Sequence, residues 1–514
     1  MSLDYFKKYN YKIRDLKDLK KILDKKKNKK TVLCHGVFDV VHPGHLRHLA
    51  HAKTKGDILI VSLTADRFIK KGNYRPHVPE NLRALNLSAF EMVDYVVIDR
   101  HEKADNILKY IKPDFYAKGF EYFSKGLPKA TKDEIKVVES YGGKMFFSPG
   151  DFVYSSSKFL QSSLPELHFE KLLMLLDKNK INFEDLKETL NNFSKLKVHV
   201  IGDTIIDTYT RTTFIGGQTK TPTFSLLKQK EENFIGGAAI VASHLKKSGA
   251  DVTFSTVLGN DRLGRFVTKE LEKIKVKTRP IIDLFRPTTN KNSFTTGNYK
   301  LLKVDTLDNT PINENILSKL CNSIKNVKAD IVILSDFRHG IFNLSSIPKI
   351  INAIPKKTFK VADSQVASRW GNILQFKNFD LITPNEREAR FALADQDSPI
   401  GSLSSLLQKN SKYKNLILTL GDKGIFCSSK KKKNNYFSID SFAQNVVDAV
   451  GSGDALLAYS SIALKLTNSL VQAGIIGSLA AAKACEYDGN QPISRKEVIE
   501  QMNKIEKKLN YPNQ

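Results

Sequence analysis

The chain has 514 residues, of which 41% are hydrophobic and 26% charged, so we expect two or three domains with sizeable cores. The formal net charge of +27 favours anionic substrates, but the lysines are not interleaved with aromatic residues, and we expect no nucleic-acid binding. Four dispersed cysteines show no metal-ligand spacing, and no apolar run is long enough to span a membrane. With no signal peptide expected, these features predict a cytoplasmic protein that binds no membrane.

A stretch near the N-terminus combines a strand, a glycine turn and the start of a helix. The apolar run Thr31–Cys34 predicts a buried parallel strand. The residues of interest that follow it are Gly36, Phe38, Asp39, His42 and His45. Such a turn places backbone N–H groups and a helix N-terminus against phosphate. The two histidines add donors that could stabilise charge as the α-phosphate of a nucleotide is attacked.

This H-x-G-H string with the upstream G-x-F-D resembles the cytidylyltransferase-like nucleotidyltransferase superfamily. Without that context, the alternative is a loop with two surface histidines. The resemblance implies a Rossmann-like nucleotidyltransferase domain over residues 1–163, in which His42 and His45 are catalytic. It further implies nucleotide binding by Gly36, Phe38 and Asp39.

Alternating strands and helices predict a parallel doubly wound sheet in this first domain. The expected strands after the first are Asp57–Leu63, Val93–Ile98 and Met145–Phe147, and Pro79–Phe90 predicts a helix. The lysine-rich residues 1–30 predict an amphipathic helix before the first strand.

Three later segments extend the resemblance to this superfamily. Arg83 lies in an E-N-L-R pattern, and Lys118 opens a K-G-x-x-Y segment like that of the sugar-phosphate branch, which implies nucleotide or phosphate binding. Ser155, Ser156 and Ser157 open a predicted helix, where hydroxyl and N–H groups suit a phosphate. A simple helix cap is the alternative for the three serines.

Residues 164–196 are polar and periodic, and we interpret them as a helical linker to a second domain over residues 197–514. Val198–Asp203 predicts a strand that ends in Gly-Asp, and Asp207 follows it. Phe234–Leu245 predicts a long helix that opens on a glycine pair. Gly236 and Gly237 permit a close approach of the backbone to a ligand. The later predicted strands are Ile331–Asp336, Phe379–Ile382 and Leu416–Leu420.

The segment V-V-D-A-V-G-S-G-D places two glycines and a serine before an apolar helix. Gly451, Ser452 and Gly453 there form an anion hole of N–H groups at a helix start. Asp454 is placed to take a proton from a hydroxyl as it attacks phosphorus. The alternative is an ordinary glycine-rich helix cap with an acidic residue beside the helix dipole.

Val198 to about Lys508 resembles the ribokinase/PfkB sugar kinase family, which implies a ribokinase-like α/β/α domain with Asp454 as the catalytic base. The resemblance implies that Asn385 and Glu388 position Mg²⁺ through water. It also implies an ATP-side turn at Gly421. The substrate-facing residues that it implies are Asp203, Asp207, Gly236 and Gly237. Ser452 replaces the alanine of the usual G-A-G-D motif, and since both residues are small we expect activity to survive.

Joined in one chain, the two halves resemble the bifunctional enzymes of ADP-heptose synthesis. The resemblance implies phosphorylation of D-glycero-D-manno-heptose 7-phosphate at the anomeric carbon, with ATP and Mg²⁺. A separate phosphatase then removes the 7-phosphate, and the transferase half makes the ADP-sugar and releases pyrophosphate. The implied partners are sugar phosphate and nucleotide substrates, and a homodimer formed through a lid sheet.

Two features depart from those enzymes. The domain order is reversed, and the R-I-S-P-E-A-P motif expected after Asp207 is echoed only by Thr221–Thr223. The sequence therefore leaves open a different sugar or polyol phosphate for a surface polysaccharide, and ATP or CTP as the nucleotidyl donor. A non-catalytic regulator and a nucleic-acid binder are further alternatives, and the latter predicts strongly salt-dependent binding.

Overall fold

In the computed structural model, two units of the chain are Met1–Leu167 and His168–Gln514, and each is described by itself. The structure describes residues 9–510 apart from 27, 70–75, 102, 120–128, 149–166, 217–222, 298, 367–368 and 431–435. The predicted phosphate-binding residues Ser155, Ser156 and Ser157 lie outside the described residues, and so do Thr221 and Pro222.

The first unit is built around a parallel sheet. Its strands are β1 (Thr31–Gly36), β2 (Ile58–Thr64), β3 (Tyr95–Asp99), β4 (Phe115–Gly119) and β5 (Lys144–Ser148). The sheet has the order β3-β2-β1-β4-β5, and all four pairings are parallel. The strand order reverses beside β1, and in open α/β sheets ligands bind at the carboxyl ends of the strands at such a point.

Helices cover this sheet in the part of the first unit that the structure describes. They are α1 (Leu16–Asp24), α2 (Pro43–Lys53), α3 (Glu80–Ser88), α4 (Asp105–Ile111) and α5 (Lys129–Ser140). The side chains of β2 are buried throughout, as expected for a strand with helices on both faces of its sheet. The doubly wound architecture predicted for the first domain is confirmed.

Two local predictions for the first unit need correction. The helix expected over residues 1–30 is limited to Leu16–Asp24 among the described residues, where Asp15 caps it by accepting the N–H groups of Lys17 and Asp18. The strand β4 was not expected, because its apolar core is only Tyr116 and Ala117. It nevertheless lies between β1 and β5 in the sheet.

The second unit contains a larger mixed sheet. Its strands are β6 (Lys197–Gly202), β9 (Asp251–Gly259), β10 (Lys277–Asp283), β13 (Ile331–Asp336), β14 (Phe359–Ser364), β15 (Leu381–Ile382), β16 (Asn415–Thr419), β17 (Ile425–Ser429) and β18 (Tyr436–Ile439). The order is β10-β9-β6-β13-β14-β15-β16-β17-β18, parallel from β10 to β16 and antiparallel beyond. The order reverses beside β6, so the crevice between β6 and β13 is the expected ligand site.

A second, four-stranded sheet belongs to the same unit. Its strands are β7 (Thr204–Gly216), β8 (Ser225–Gly237), β11 (Asn290–Thr296) and β12 (Tyr299–Thr306), in the order β12-β11-β7-β8. The residues Phe234–Gly237, which were predicted to open a helix, are instead the end of β8. The helix begins at Ala238, because Gly237 takes a φ of 63° and serves as its N-cap.

The helices of the second unit, within the described ranges, pack on both faces of the nine-stranded sheet. They are α6 (Leu167–Asn179), α7 (Phe183–Asn191), α8 (Ala238–Ser248), α9 (Arg262–Lys273), α10 (Glu314–Lys325), α11 (Ser346–Ala353), α12 (Glu386–Leu393), α13 (Ile400–Ser411), α14 (Ser452–Thr467), α15 (Leu470–Ala484) and α16 (Arg495–Asn510). Side chains from the predicted linker, Leu172, Leu176, Leu186 and Leu190, belong to the core of this unit. No helix in the described part of the chain is both long and apolar enough to cross a membrane.

Candidate active sites

The first candidate site lies where β1 runs into α2. His42 is the N-cap of α2, and its Nδ1 accepts the N–H of Gly44 at 3.1 Å. The His42 N–H in turn donates to Nδ1 of His45 at 3.4 Å, and the two ring centroids are 4.0 Å apart. The structure thus brings the two predicted histidines together at a helix N-terminus, where the dipole favours an anion.

Burial keeps one of these imidazoles neutral. The pKa of His45 is lowered to about 4, mainly by burial and further by the neighbouring His42 and His48. At pH 7 the ring of His45 is therefore an uncharged donor and acceptor rather than a cation. Its contribution to an anion site comes from hydrogen bonding and from the helix dipole.

The loop between β1 and α2 is tightly built. Phe38 takes a φ of 50°, and its ring lies 5.2 Å from that of His45. A side chain at Gly36 would come within 3.1 Å of the Phe38 ring, so that ring would have to shift to admit one. Asp39 is buried, and its Oδ1 accepts the N–H of Val78 at 2.9 Å. Gly36, Phe38 and Asp39 therefore shape the loop that carries the histidines.

Arg83 was noted in the sequence only as part of a pattern, and the structure gives it a clear position. Its fully buried guanidinium donates to the carbonyls of Val37, Val78 and Thr64, the last two at 2.9 Å. It also donates to Oδ1 of Asp66 at 2.5 Å. One cation thus ties the loop after β1 to the loop after β2 and to the start of α3.

Lys118, at the end of β4, lies beside the same sheet edge but is engaged in the interior. Its ammonium forms an ion pair with Glu134 on α5 and a hydrogen bond of 3.3 Å to Thr131. Its charge contributes to lowering the pKa of the half-buried His35 to about 4, where desolvation is the main cause. Contact of Lys118 with a nucleotide stays a prediction.

The second candidate site lies at the crevice between β6 and β13. Asp203 follows β6, and its carboxylate accepts the N–H groups of Phe337 at 3.0 Å, His339 at 3.2 Å and Ile341 at 3.4 Å. Burial and the neighbouring Asp336 raise the pKa of Asp203 to about 7. Asp203 therefore holds the loop after β13 in place at the edge of the sheet.

Asp207 lies on β7, close to the glycine pair that ends β8. A side chain at Gly236 would approach Oδ2 of Asp207 to 2.5 Å, and one at Gly237 would approach the Asp203 carbonyl to 2.4 Å. The Asp207 carboxylate accepts the side-chain N–H of Asn490 at 2.9 Å. The structure thus brings the predicted substrate-facing aspartates and glycines together, and it adds Asn490 to them.

Asp454 lies in the first turn of α14, beside the predicted anion hole. Gly451 is the N-cap of that helix with a φ of 82°, and a side chain there would come within 2.1 Å of Oδ1 of Asn490. Asp454 is buried, and its pKa is raised well above the usual value by burial and by the charges of Asp363 and Asp207. Asn490 therefore lies between the helix start and Asp207, and the charge of Asp207 is close enough to act on Asp454.

Asn385 and Glu388 form a reciprocal cap at the start of α12. The Asn385 N–H donates to Oε2 of Glu388 at 2.7 Å, and the Glu388 N–H donates to Oδ1 of Asn385 at 2.8 Å. Burial, Asp363 and Asp454 raise the pKa of Glu388 well above its usual range. Three buried carboxylates, those of Asp363, Glu388 and Asp454, thus lie near one another.

Sequence analysis missed two site residues, Asp363 and Asn490. Asp363 carries a recognisable signal, since it lies at the end of an apolar strand as Asp203 and Asp336 do, whereas no local pattern marks Asn490.

Gly421, predicted for the ATP side, opens the turn Gly421–Lys423 after β16 with a φ of 64°. No other atom lies within 4 Å of where its side chain would be, among the residues that the structure places.

Two family models match the chain. The pfkB family carbohydrate kinase model matches residues 195–497, more than half of the chain. The cytidylyltransferase-like model matches residues 33–161, which include the histidine pair. The two matches correspond to the two candidate sites.

Curated relatives resemble parts of the chain. Bifunctional protein HldE of Campylobacter concisus (strain 13826) is 37% identical over 141 residues, which are 26% of this chain and 29% of that protein. Bifunctional protein HldE of Helicobacter hepaticus (strain ATCC 51449 / 3B1) is 27% identical over 311 residues, which are 59% of this chain and 63% of that protein. The chain thus spans less than two thirds of the length of either relative.

A solved structure with a similar fold is phosphofructokinase-2 from Escherichia coli in complex with substrates and products. It superposes with a TM-score of 0.52 at 16% sequence identity, over 60% of this chain and 100% of that one. At this level of identity the likeness concerns the fold alone.

Proposed function

Because the chain belongs to the pfkB family of carbohydrate kinases, we propose that its C-terminal unit phosphorylates a sugar phosphate with ATP. The substrate proposed is D-glycero-D-manno-heptose 7-phosphate, which receives the γ-phosphoryl group at its anomeric oxygen and leaves ADP. After a separate phosphatase removes the 7-phosphate, the N-terminal unit joins the sugar 1-phosphate to AMP from ATP and releases pyrophosphate. The proposal extends the bifunctionality in the relatives' names to this chain.

The observation that carries the kinase proposal is the position of Asp454 at a glycine-rich helix start beside Asp207. In the proposed step, Asp454 accepts the proton of the sugar hydroxyl as its oxygen attacks phosphorus. The N–H groups of Gly451, Ser452 and Gly453 receive the charge that develops on the transferred phosphoryl group. The raised pKa of Asp454 makes it a stronger base, and the rate should rise with pH as that carboxyl ionises.

The residues at this edge fit a magnesium ion held partly through water. Among the described residues, no group of three or more histidine, cysteine and acidic side chains forms a complete metal site. Mg²⁺ prefers carboxylate oxygens and keeps several waters and phosphate oxygens as ligands. Asn385 and Glu388 would hold it through water, and its charge would offset both the burial and the nearby carboxylates that raise the pKa of Glu388. When bound, the ion neutralises charge on the ATP phosphates.

In the transferase unit, His42 and His45 are the proposed catalytic pair. At the N-terminus of α2 they donate hydrogen bonds to the nucleotide phosphates, and they stabilise the charge that develops as the sugar phosphate attacks. The loop of Gly36, Phe38 and Asp39 would keep the two rings in place. The nucleotidyl donor proposed is ATP, and CTP is the alternative.

A second candidate function concerns the substrate of both reactions. The segment after Asp207 lacks the arginine-rich motif expected of heptose enzymes. This difference favours a kinase and cytidylyltransferase pair that acts on another sugar or polyol phosphate for a surface polysaccharide.

The proposal includes a cytoplasmic homodimer. One face of the four-stranded sheet exposes large apolar side chains, namely Phe214, Leu302 and Val304. A face of this kind marks an interaction surface in a water-soluble domain, and a second copy is the proposed occupant. Size-exclusion chromatography with light scattering should give twice the mass of the chain.

Phosphorus NMR of the purified chain with Mg²⁺, ATP and heptose 7-phosphate tests the function. We expect a new anomeric phosphate signal together with ADP. After addition of a phosphatase specific for the 7-phosphate, ATP or CTP should yield a nucleotide-sugar diphosphate signal, which identifies the donor. Turnover of another sugar or polyol phosphate but not of heptose 7-phosphate would select the second candidate, and no phosphoryl transfer to any of them would contradict the kinase proposal.

A further inference from the structure

A half-buried lysine faces the proposed sugar site from the four-stranded sheet. Lys291 on β11 is the register partner of Asp207 on β7, so both side chains lie on the same side of the sheet. Lys303 on β12 pairs with Ser293, two residues beyond Lys291, and therefore also lies on that side. Two ammonium groups are thus placed on the same face as the carboxylate expected to bind the sugar.

Lys291 has no close anionic partner in the part of the chain that the structure describes. Within the described residues, its ammonium group forms no hydrogen bond or ion pair, whereas Lys303 lies 3.9 Å from Asp305. Burial and the charge of Lys303 lower the pKa of Lys291, and the charges of Asp207 and Asp305 oppose this effect. A partly buried cation without a close anion is costly, and a bound anion would offset that cost.

The same positive charges converge on His339, after β13. The His339 side chain is 7% exposed, and its pKa is lowered to about 4 by burial and by the charges of Lys291, Arg286 and Lys303. Its Nδ1 lies 2.8 Å from Oδ1 of Asn309, while Nε2 is buried without a hydrogen-bond partner in the described part of the chain. The cleft that His339 lines is also lined by Asp203, Thr204, Arg286 and Thr289.

A purely structural role for Lys291 would be to balance Asp207. That carboxylate already accepts a hydrogen bond from Asn490, and no ion pair joins it to Lys291 among the described residues. Arg286 differs from Lys291, because both of its terminal nitrogens already donate to carbonyls, namely those of Asp308, Thr310 and His339. Among the described residues, Lys291 thus keeps an ammonium group without a hydrogen bond on this face, and Lys303, nearer to solvent, forms only the 3.9 Å ion pair with Asp305.

We propose that Lys291, assisted by Lys303, binds the phosphate group that the sugar substrate already carries. The inference rests on the proposed kinase function and assigns the residue that makes the substrate a sugar phosphate rather than a free sugar. An ammonium group can donate three hydrogen bonds to phosphate oxygens, and charge-assisted bonds of this kind are among the strongest in proteins. Asp207 would hold a sugar hydroxyl, and Asp454 would face the hydroxyl that reacts.

The test compares heptose 7-phosphate with free heptose in steady-state kinase assays of the full chain. For Lys291→Gln we expect the KM for the sugar phosphate to rise by about 10- to 100-fold with little change in kcat, because a charged hydrogen bond to the ligand is lost. With free heptose kcat/KM should fall less than threefold. Lys303→Gln should show a smaller loss of the same kind, and Lys291→Arg should retain most of the preference.

Lys228→Gln is the matched control, since Lys228 lies on the same sheet but pairs with Glu231 and is 58% exposed. It should leave both substrates unaffected. An equal loss on the two substrates in Lys291→Gln, or no loss on either, would overturn the phosphate subsite. A wild-type chain that phosphorylates free sugars only would overturn the subsite and leave a kinase, whereas one that phosphorylates no sugar would overturn the kinase function itself.

Discussion

The two units hold their ligand-facing loops with buried charges of opposite sign. In the first unit the Arg83 guanidinium donates to carbonyls of the loops that follow β1 and β2. In the second unit the Asp203 carboxylate accepts three backbone N–H groups of the loop that follows β13. Both sites lie where a parallel sheet reverses its strand order. The two sites thus share their position in the sheet topology, whereas the sign of the buried side chain that binds the loop, Arg83 or Asp203, differs between them.

The difference follows from which backbone groups each loop leaves without partners. A buried carbonyl or N–H group must find a partner, and a single ionised side chain can satisfy several at once. The loop after β1 turns carbonyls inward and requires a donor, whereas the loop after β13 turns N–H groups inward and requires an acceptor. The titratable groups of the two active sites differ as well. The transferase unit relies on the neutral His45, and the kinase unit has clustered carboxylates with raised pKa values.

The largest expected effect is the loss of one activity, and not the other, when the proposed base of the kinase site is removed. Asp454→Asn removes the proposed base but keeps its size, so kinase turnover should fall by about 10²- to 10⁴-fold. Conversion of a sugar 1-phosphate to the nucleotide sugar should be unchanged, because that reaction belongs to the other unit. Separate initial-rate assays of the two half-reactions provide the measurement, and unchanged kinase turnover would revive a non-catalytic role for this domain.

Substitution of the two residues that bind these loops, Arg83 and Asp203, compares how much each contributes to stability. Arg83→Met leaves three carbonyls and Asp66 without their donor, and should destabilise the first unit by about 3–5 kcal/mol. Asp203→Asn keeps one acceptor but places an amide donor against N–H groups, and should destabilise the second unit by about 1–3 kcal/mol.

Scanning calorimetry of the full chain should show each substitution moving a different unfolding transition. If Arg83→Met moved only the transition of the kinase unit, the assignment of this residue to the transferase loop would be wrong. In the wild type, the temperature at which each of the two activities is lost identifies which unfolding transition belongs to which unit.

Much of this architecture could be predicted from apolar runs. Strands such as Ile331–Asp336 are buried on both faces, and their sequences are continuous apolar stretches that end in an acid. The individual strands of the four-stranded sheet escaped prediction, because they are partly open to solvent and rich in polar residues. Thr204–Gly216 and Tyr299–Thr306 therefore carry little of the apolar signal on which strand prediction depends.

The site residues, too, divide into those that could be predicted from the sequence and those that could not. Residues that act within one motif, such as Gly451 to Asp454 or His42 and His45, could be predicted because the spacing itself carries the chemistry. Asn490 and Lys291 could not, since each acquires its role through a partner far away in the chain. Asn490 contacts Asp207, which is 283 positions earlier. Only the fold brings such pairs together.

The last effect concerns acid stability. His244 is buried in the second unit, its Nδ1 accepts the N–H of Ile493 at 3.1 Å, and burial lowers its pKa to about 3. A folded-state pKa below the unfolded value of about 6.5 gives stability that is present above pH 6.5 and is lost as pH falls towards 3. His244→Asn keeps an acceptor without the titrating group.

For His244→Asn, the loss of unfolding free energy between pH 6.5 and 4.5 should be about 2–3 kcal/mol smaller than in the wild type. Urea unfolding of the full chain at several pH values gives this difference from the transition of the second unit. The same profile for both proteins would contradict a neutral, buried imidazole at this position.

The central claim is that one chain carries two separate active sites that perform successive reactions. Complementation between two inactivated chains tests it most directly. Asp454→Asn and the double variant His42→Ala/His45→Ala are each incubated with Mg²⁺, ATP, heptose 7-phosphate and the phosphatase, and then mixed. The account predicts that neither variant alone forms the nucleotide sugar and that the mixture does. Product from either variant alone, or none from a mixture whose wild-type control is active, would contradict it.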